Sequence, residues 1–265
     1  MLSVCLAAMG CALCARADEV GRWTSVNGHR IYYEVRGSGR PLLLLHGGGG
    51  DIQGAWSHQL DDFSRKHEVI AVEQSGHGHS PDVDGPMTYA SFTEDTAALL
   101  VQLKLKDVDV VGWSDGAIEA LMLAVRHPGL VRRVVATGAN VDPSGVDNTW
   151  LSHAKPEEVF DAKPGSYYAL NSPDGLAHAK VVGAKLKELW LTRPTPDELT
   201  FEMLGRIRVP VLIMAGDHDE IFAEHTVKIF RAIPGAKLWI LPDTVHDTFV
   251  SRPEWTNPYV LSFLE

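Results

Sequence analysis

Val108-Asp109-Val110-Val111-Gly112-Trp113-Ser114-Asp115-Gly116 decides how this 265-residue chain folds, because an apolar run turns into a helical pattern across one glycine-bracketed serine. Val108 to Val111 reads as a short buried strand, and Ile118, Leu121, Met122 and Val125 recur at helical spacing after it. So tight a strand-to-helix reversal forces its central residue into a strained backbone conformation. Small neighbours at Gly112 and Gly116 let the two elements pass. Ser114 then projects its oxygen above a sheet, with a helix N-terminus beneath it. GxSxG alone is a common five-residue coincidence; the strand before, the helix after and partners elsewhere give this one its weight.

The first partner lies upstream, where Pro41 to Leu45 form a second apolar run that enters His46-Gly47-Gly48-Gly49-Gly50. Backbone N–H groups held at hydrogen-bond distance stabilise negative charge developing on a carbonyl oxygen. Glycines let the main chain come that close. The expected donors are the Gly48 amide and that of Asp115, the residue after the serine. A phosphate cradle would need GxxxxGK[ST], or GxGxxG opening a helix, and neither is present.

A serine hydroxyl needs a base to take its proton and a carboxylate to orient that base. In this architecture the chain order is nucleophile, acid, histidine. Val209 to Ala215 reads as a strand ending in Gly216-Asp217-His218-Asp219-Glu220, and Leu238 to Leu241 as another, followed by Pro242-Asp243-Thr244-Val245-His246. His246 is the histidine after the last strand and is the expected base. His225 falls inside a helical pattern from Ile221 to Ile233, while His127, His153 and His178 precede the acid. Asp219 is preferred as the acid over Asp217, which could instead cap the following turn. Two residues of loop do not by themselves separate them.

With these residues in place the chain resembles the α/β-hydrolase superfamily from Trp23 to Leu264. GWSDG, followed by Gly138-Ala139-Asn140, is similar to the valacyclovir hydrolase group and its bacterial relatives. The resemblance implies Ser114, Asp219 and His246 as a triad, and Gly48 with Asp115 as oxyanion donors. It also implies that the Asp115 carboxylate recognises the amino group of an α-amino ester; the alternative is that it caps the helix at the elbow. Two positions depart from the pattern. Glu73-Gln74-Ser75-Gly76-His77-Gly78-His79-Ser80 stands where many relatives have DxRGxGxS, so Ser75 replaces an arginine, which bears on how that loop is anchored. Ala117 stands where the nearest relatives carry another glycine.

The rest of the pattern agrees with an α/β class. Arg22 to Val26 and Arg30 to Arg36 alternate about Asn27-Gly28, a hairpin signal. Short apolar strands at Leu42–Leu45, Val69–Val72 and Val134–Thr137 then alternate with helical stretches at Tyr89–Leu103 and Ser114–His127, and a last helix begins near Pro253. Such alternation predicts a mostly parallel twisted sheet flanked by helices. Between 142 and 207 the alternation stops and prolines accumulate, so this segment is the expected helical cap, inserted into a core of 18–141 and 208–265. Trp113 beside the serine, and Trp150 and Trp190 in the cap, are candidate substrate contacts with Asp115. Phe160, Tyr167, Tyr168 and Leu189 could line the same pocket, although packing of cap against core is the commoner use of such residues.

A formal charge of −10 disfavours nucleic acid or an anionic membrane as partner. His77 and His79 form an HxH without further recognisable ligands, so no metal is expected, and His46 reads as a loop-fixing group. Glu73 reads as a structural carboxylate. Residues 1–17 are apolar and small, and Ala15-Arg16-Ala17 reads as a cleavage site, which predicts a signal peptide and a secreted or periplasmic product. An overextended gene start on a cytoplasmic enzyme is the alternative. Cys5, Cys11 and Cys14 all lie in that segment.

The expected activity is cofactor-free, serine-dependent hydrolysis of a small carboxylic ester or lactone. Perhydrolysis or carbon–carbon cleavage on the same triad, and a non-catalytic ligand-binding receptor, are the alternatives. Haloalkane dehalogenase and epoxide hydrolase chemistry is disfavoured, because those relatives need an aspartate where Ser114 stands.

Overall fold

Asn27 and Gly28 both take left-handed backbone conformations, φ 52° and 86°, as a two-residue hairpin turn requires. They close strand β1 (Gly21–Val26) onto β2 (His29–Gly37). The structure, a computed structural model, describes residues 21–193 and 195–265. The expected signal segment and its three cysteines lie outside the described residues.

The remaining strands are β3 (Arg40–Leu45), β4 (His67–Glu73), β5 (Val108–Trp113), β6 (Val131–Thr137), β7 (Val211–Gly216) and β8 (Lys237–Leu241). They form one eight-stranded sheet in the order β1-β2-β4-β3-β5-β6-β7-β8. Only β2 runs against its neighbours; β4 through β8 pair in parallel. A parallel sheet is covered on both faces, and β3 shows it: Leu42, Leu43, Leu44 and Leu45 are all fully buried. The strand alternation sends Leu43 and Leu45 into one apolar cluster with Leu99, Leu121 and Ile229. Leu42 and Leu44 enter the other, with Trp56, Phe63, Phe249 and Val260.

Helices Tyr89–Gln102, Asp115–Arg126, Ala223–Ala232 and Pro253–Leu264 supply most of this cover. β7 begins two residues later than its apolar pattern. Pro210 has no N–H to give a ladder and contributes only its carbonyl, to the Val134 amide. The helix expected from Ile221 starts at Ala223, because Ile221 instead forms an isolated antiparallel bridge with Val146.

Between β6 and β7 the chain forms short helical pieces and one longer helix, Ala179–Thr192. Lys185 and His178 both bind the Asp82 carboxylate at 2.8 Å, tying this insertion to the loop after β4. No helix of the described residues is long and apolar enough to cross a membrane.

Candidate active site

Ser114 has φ 56° and ψ −119°, a sparsely populated backbone region for a non-glycine residue. Its amide donates to Thr137 O at 2.9 Å, and its carbonyl accepts from Ala117 and Ile118 as the helix starts. The flanking glycines are needed for close approach of backbone. A Cβ on Gly112 would come within 2.1 Å of Gly116 O, and one on Gly116 within 2.1 Å of Leu45 O.

The strand ends carry the other groups to the same edge of the sheet. The loops after β7 and β8 are zipped together: Asp217 N–H donates to Leu241 O, and His218 N–H to Thr244 O, both at 3.0 Å. Asp219 Oδ1 lies 2.7 Å from His246 Nδ1 and also accepts the Ile221 amide at 3.0 Å. A carboxylate only accepts, so Nδ1 carries the proton and Nε2 keeps its lone pair. Nε2 is buried and makes no hydrogen bond among the described residues. Glu220 Oε1 stands 3.7 Å from it. Burial disfavours the imidazolium, but the Asp219 hydrogen bond and the charges of Asp219 and Glu220 outweigh it and raise the His246 pKa.

Asp217, the competing acid, does different work. It accepts the Thr244 amide at 3.0 Å and pairs with His218 at 2.8 Å, contacts that hold its pKa down to about 2.

Ser114 and His246 line one cavity of about 170 Å³ with Gly47, Gly48, Asp115, Trp113, Trp150 and Trp190. No hydrogen bond joins the Ser114 hydroxyl to His246 Nε2. The Gly48 and Asp115 amides donate to no group among the described residues. Gly48 packs so closely that a Cβ there would meet Asp115 Oδ2 at 2.2 Å and the Trp190 ring at 2.4 Å.

The Asp115 carboxylate lines the cavity and makes no capping hydrogen bond to its helix. Its Oδ1 accepts from Tyr89 OH at 2.6 Å and its Oδ2 from Trp190 Nε1 at 2.8 Å. The indole comes from the insertion, so the carboxylate joins insertion to core. Trp113 also has a second task, its Nε1 donating to His246 O at 2.9 Å. Of the other aromatic candidates, Phe160 packs edge-on against Tyr168, Tyr167 turns to His79, and Leu189 is buried in the core.

The 73–80 loop is anchored without the arginine that Ser75 replaces. Glu73 is wholly buried and accepts from the Ile52 amide, the His79 amide and His79 Nδ1. That hydrogen bond raises the His79 pKa, and the ring stacks on Tyr32 at 4.0 Å. His225, in its helix, accepts the Val141 amide at 3.0 Å.

A mostly parallel sheet, with a strained serine and an aspartate-held histidine at its carboxyl edge, defines a hydrolase scaffold. The chain belongs to the alpha/beta hydrolase family, whose model matches residues 42–258. It is 28% identical over 253 residues to human serine hydrolase BPHL, covering 91% of this chain and 85% of that protein. It is also 28% identical over 282 residues to a non-heme haloperoxidase of Rhodococcus erythropolis, covering 91% and 98%. Among solved structures, the enol-lactonase from Burkholderia xenovorans LB400 superposes with a TM-score of 0.73 at 23% identity, over 92% of this chain and 99% of that one. The protein is thus a hydrolase enzyme.

Proposed function

We propose that this hydrolase cleaves a small carboxylic ester or lactone through an acyl-serine intermediate. The observation that carries the reading is that Ser114 and the Asp219-held His246 line one small, mostly apolar cavity, with the lone pair of His246 Nε2 uncommitted. His246 Nε2 takes the Ser114 proton as Oγ bonds to the substrate carbonyl carbon. Asp219 holds the tautomer and stabilises the imidazolium. The Gly48 and Asp115 amides receive the oxyanion; losing one such donor typically costs about 10²- to 10³-fold in rate. The imidazolium then protonates the departing alcohol oxygen as the carbon–oxygen bond breaks. In deacylation His246 takes a proton from water, whose oxygen attacks the acyl carbon, and returns it to Ser114. The three tryptophans at the cavity favour uncharged acyl or alcohol groups over anionic ones.

The test is labelling by a fluorophosphonate together with turnover of p-nitrophenyl esters, lactones and amino-acid esters. Labelling that disappears in Ser114→Ala, with ester or lactone turnover, supports the reading. Folded wild-type protein that neither labels nor turns over any of them sinks it in favour of a binding role. A second reading, perhydrolysis with peroxide in place of water, draws support from the haloperoxidase relatives. Peracid formed from a short carboxylic acid and peroxide is its signature. The proposal includes export with cleavage after Ala17: a secreted product beginning at Asp18 supports that part, and a retained Met1 refutes it.

A further inference from the structure

The glycine-rich loop after β3 is useful to the proposed reaction only if its backbone is held still, because glycines confer no rigidity of their own. Two buried histidines hold it, in reciprocal fashion. His46 Nδ1 lies 2.7 Å from Gly47 O, a carbonyl that only accepts, so Nδ1 carries the proton and Nε2 accepts the Gln74 amide at 3.2 Å. His77 repeats the logic from the other side. Its Nδ1 faces Ser75 O at 3.1 Å and must donate, which leaves Nε2 to accept the Gly49 amide at 2.9 Å. The rings lie 5.0 Å apart. Each loop thus sends one imidazole to a main-chain amide of the other.

We propose that His77 is a positioning residue for the oxyanion loop: its unprotonated Nε2 fixes Gly49 and thereby sets where the neighbouring Gly48 amide points. The inference rests on the hydrolase reading above and adds to it a residue that does not touch substrate. Gly49 sits at φ 69°, where its geometry is held by contacts and not by preference, and a Cβ there would meet Phe160 at 2.5 Å. Without the imidazole its N–H would have no partner here. Protonation of Nε2 would place two donors face to face and break the contact.

The surroundings keep the ring neutral. Burial is the largest effect, His46 adds to it, and Ser75 O, Asp115 and Glu73 oppose it, leaving His77 at about 4. Phe92, from the helix Tyr89–Gln102, covers the ring with its edge and carries no charge.

Two substitutions separate this role from simple packing. His77→Phe keeps a ring and removes the acceptor; His77→Gln keeps an acceptor at the distal position. We expect kcat on a p-nitrophenyl ester to fall about 10²-fold in His77→Phe, as for loss of an oxyanion donor, with KM changed less than threefold. Affinity for a boronic acid that mimics the tetrahedral intermediate should fall in parallel, and His77→Gln should recover at least a tenth of wild-type kcat. Nitrogen NMR of histidine-labelled wild-type protein should report a neutral, Nδ1-protonated His77 at pH 6, and the Gly49 amide resonance should titrate near pH 4. A His77→Phe enzyme within twofold of wild-type kcat, or a His77 that is Nε2-protonated or cationic at pH 6, overturns the proposal. Should the phenylalanine variant not fold, the glutamine variant and the tautomer decide. If wild type neither labels nor turns over, the hydrolase reading fails, and the NMR measurement still decides whether the His77–Gly49 contact exists.

Discussion

At the scale of single residues, the two aspartates flanking His218 show how chemically identical side chains are given separate tasks by a few ångströms of backbone. Asp219 faces His246 Nδ1 while Asp217 holds the Thr244 amide. Asp219→Asn is therefore expected to lower kcat on the order of 10⁴-fold, because it disturbs the imidazole tautomer. Asp217→Asn should stay within a few-fold, as steady-state kinetics on one ester will show. The sequence narrowed the acid to these two and preferred Asp219, the one whose Oδ1 lies 2.7 Å from His246 Nδ1. It could not separate them, since the difference lies in how the 216–220 loop is zipped to its neighbour. Glu220 gave no signal at all: a carboxylate near Nε2 is visible only in three dimensions. Its charge favours the imidazolium, which cannot accept the serine proton. Glu220→Gln should accordingly move the acid limb of the kcat/KM profile to lower pH, and an unmoved limb would contradict that electrostatic role.

At the scale of elements, strands and helices were readable where hydrophobic period and glycine placement were strong. The hairpin at Asn27-Gly28, the elbow and the helix Tyr89–Gln102 all stand within a residue or so of their patterns. Two of the bounds that shifted did so for reasons that single-sequence periodicity does not carry: Pro210 cannot donate to a ladder, and Ile221 is captured by Val146. Least legible was the contact between insertion and core, because its partners are 75 residues apart: Trp190 on one helix and Asp115 at the start of another. Trp190→Phe keeps an aromatic ring but leaves Asp115 Oδ2 without its donor. Loss of about 1–3 kcal/mol is expected, measured by denaturant unfolding. A variant as stable as wild type would mean that water replaces the indole without cost.

At the scale of the whole molecule, stability depends on protons held in two opposite senses. Glu119, buried on the helix Asp115–Arg126, accepts from Thr96 and Gln74, and burial pushes its carboxyl up to about 8. The folded chain keeps a proton there that the unfolded chain releases above its ordinary value of 4.5, so stability declines as pH rises from there to about 8 and then levels. His77 acts at the other end. Held at about 4 when folded against 6.5 when unfolded, it makes stability fall as pH drops through that interval. Glu119→Gln, a neutral mimic of the protonated acid, should flatten the decline between pH 6.5 and 8, above the interval in which His77 opposes it, as denaturant midpoints across that range will test. A mostly parallel sheet flanked by helices was readable from the alternation, whereas its strand order and these buried titrations were not, because they depend on which side chains the fold closes over.

The torsion angles at Ser114 set robustness against reactivity. Sparsely populated backbone geometry costs about 1–3 kcal/mol, and glycine accepts such angles without penalty. Ser114→Gly should therefore melt at a higher temperature than the native protein while losing the oxygen on which the proposed hydrolysis depends. A serine held at φ 56° thus sets thermal endurance against the one group that the substitution removes, and the melting temperature of the glycine variant measures that difference.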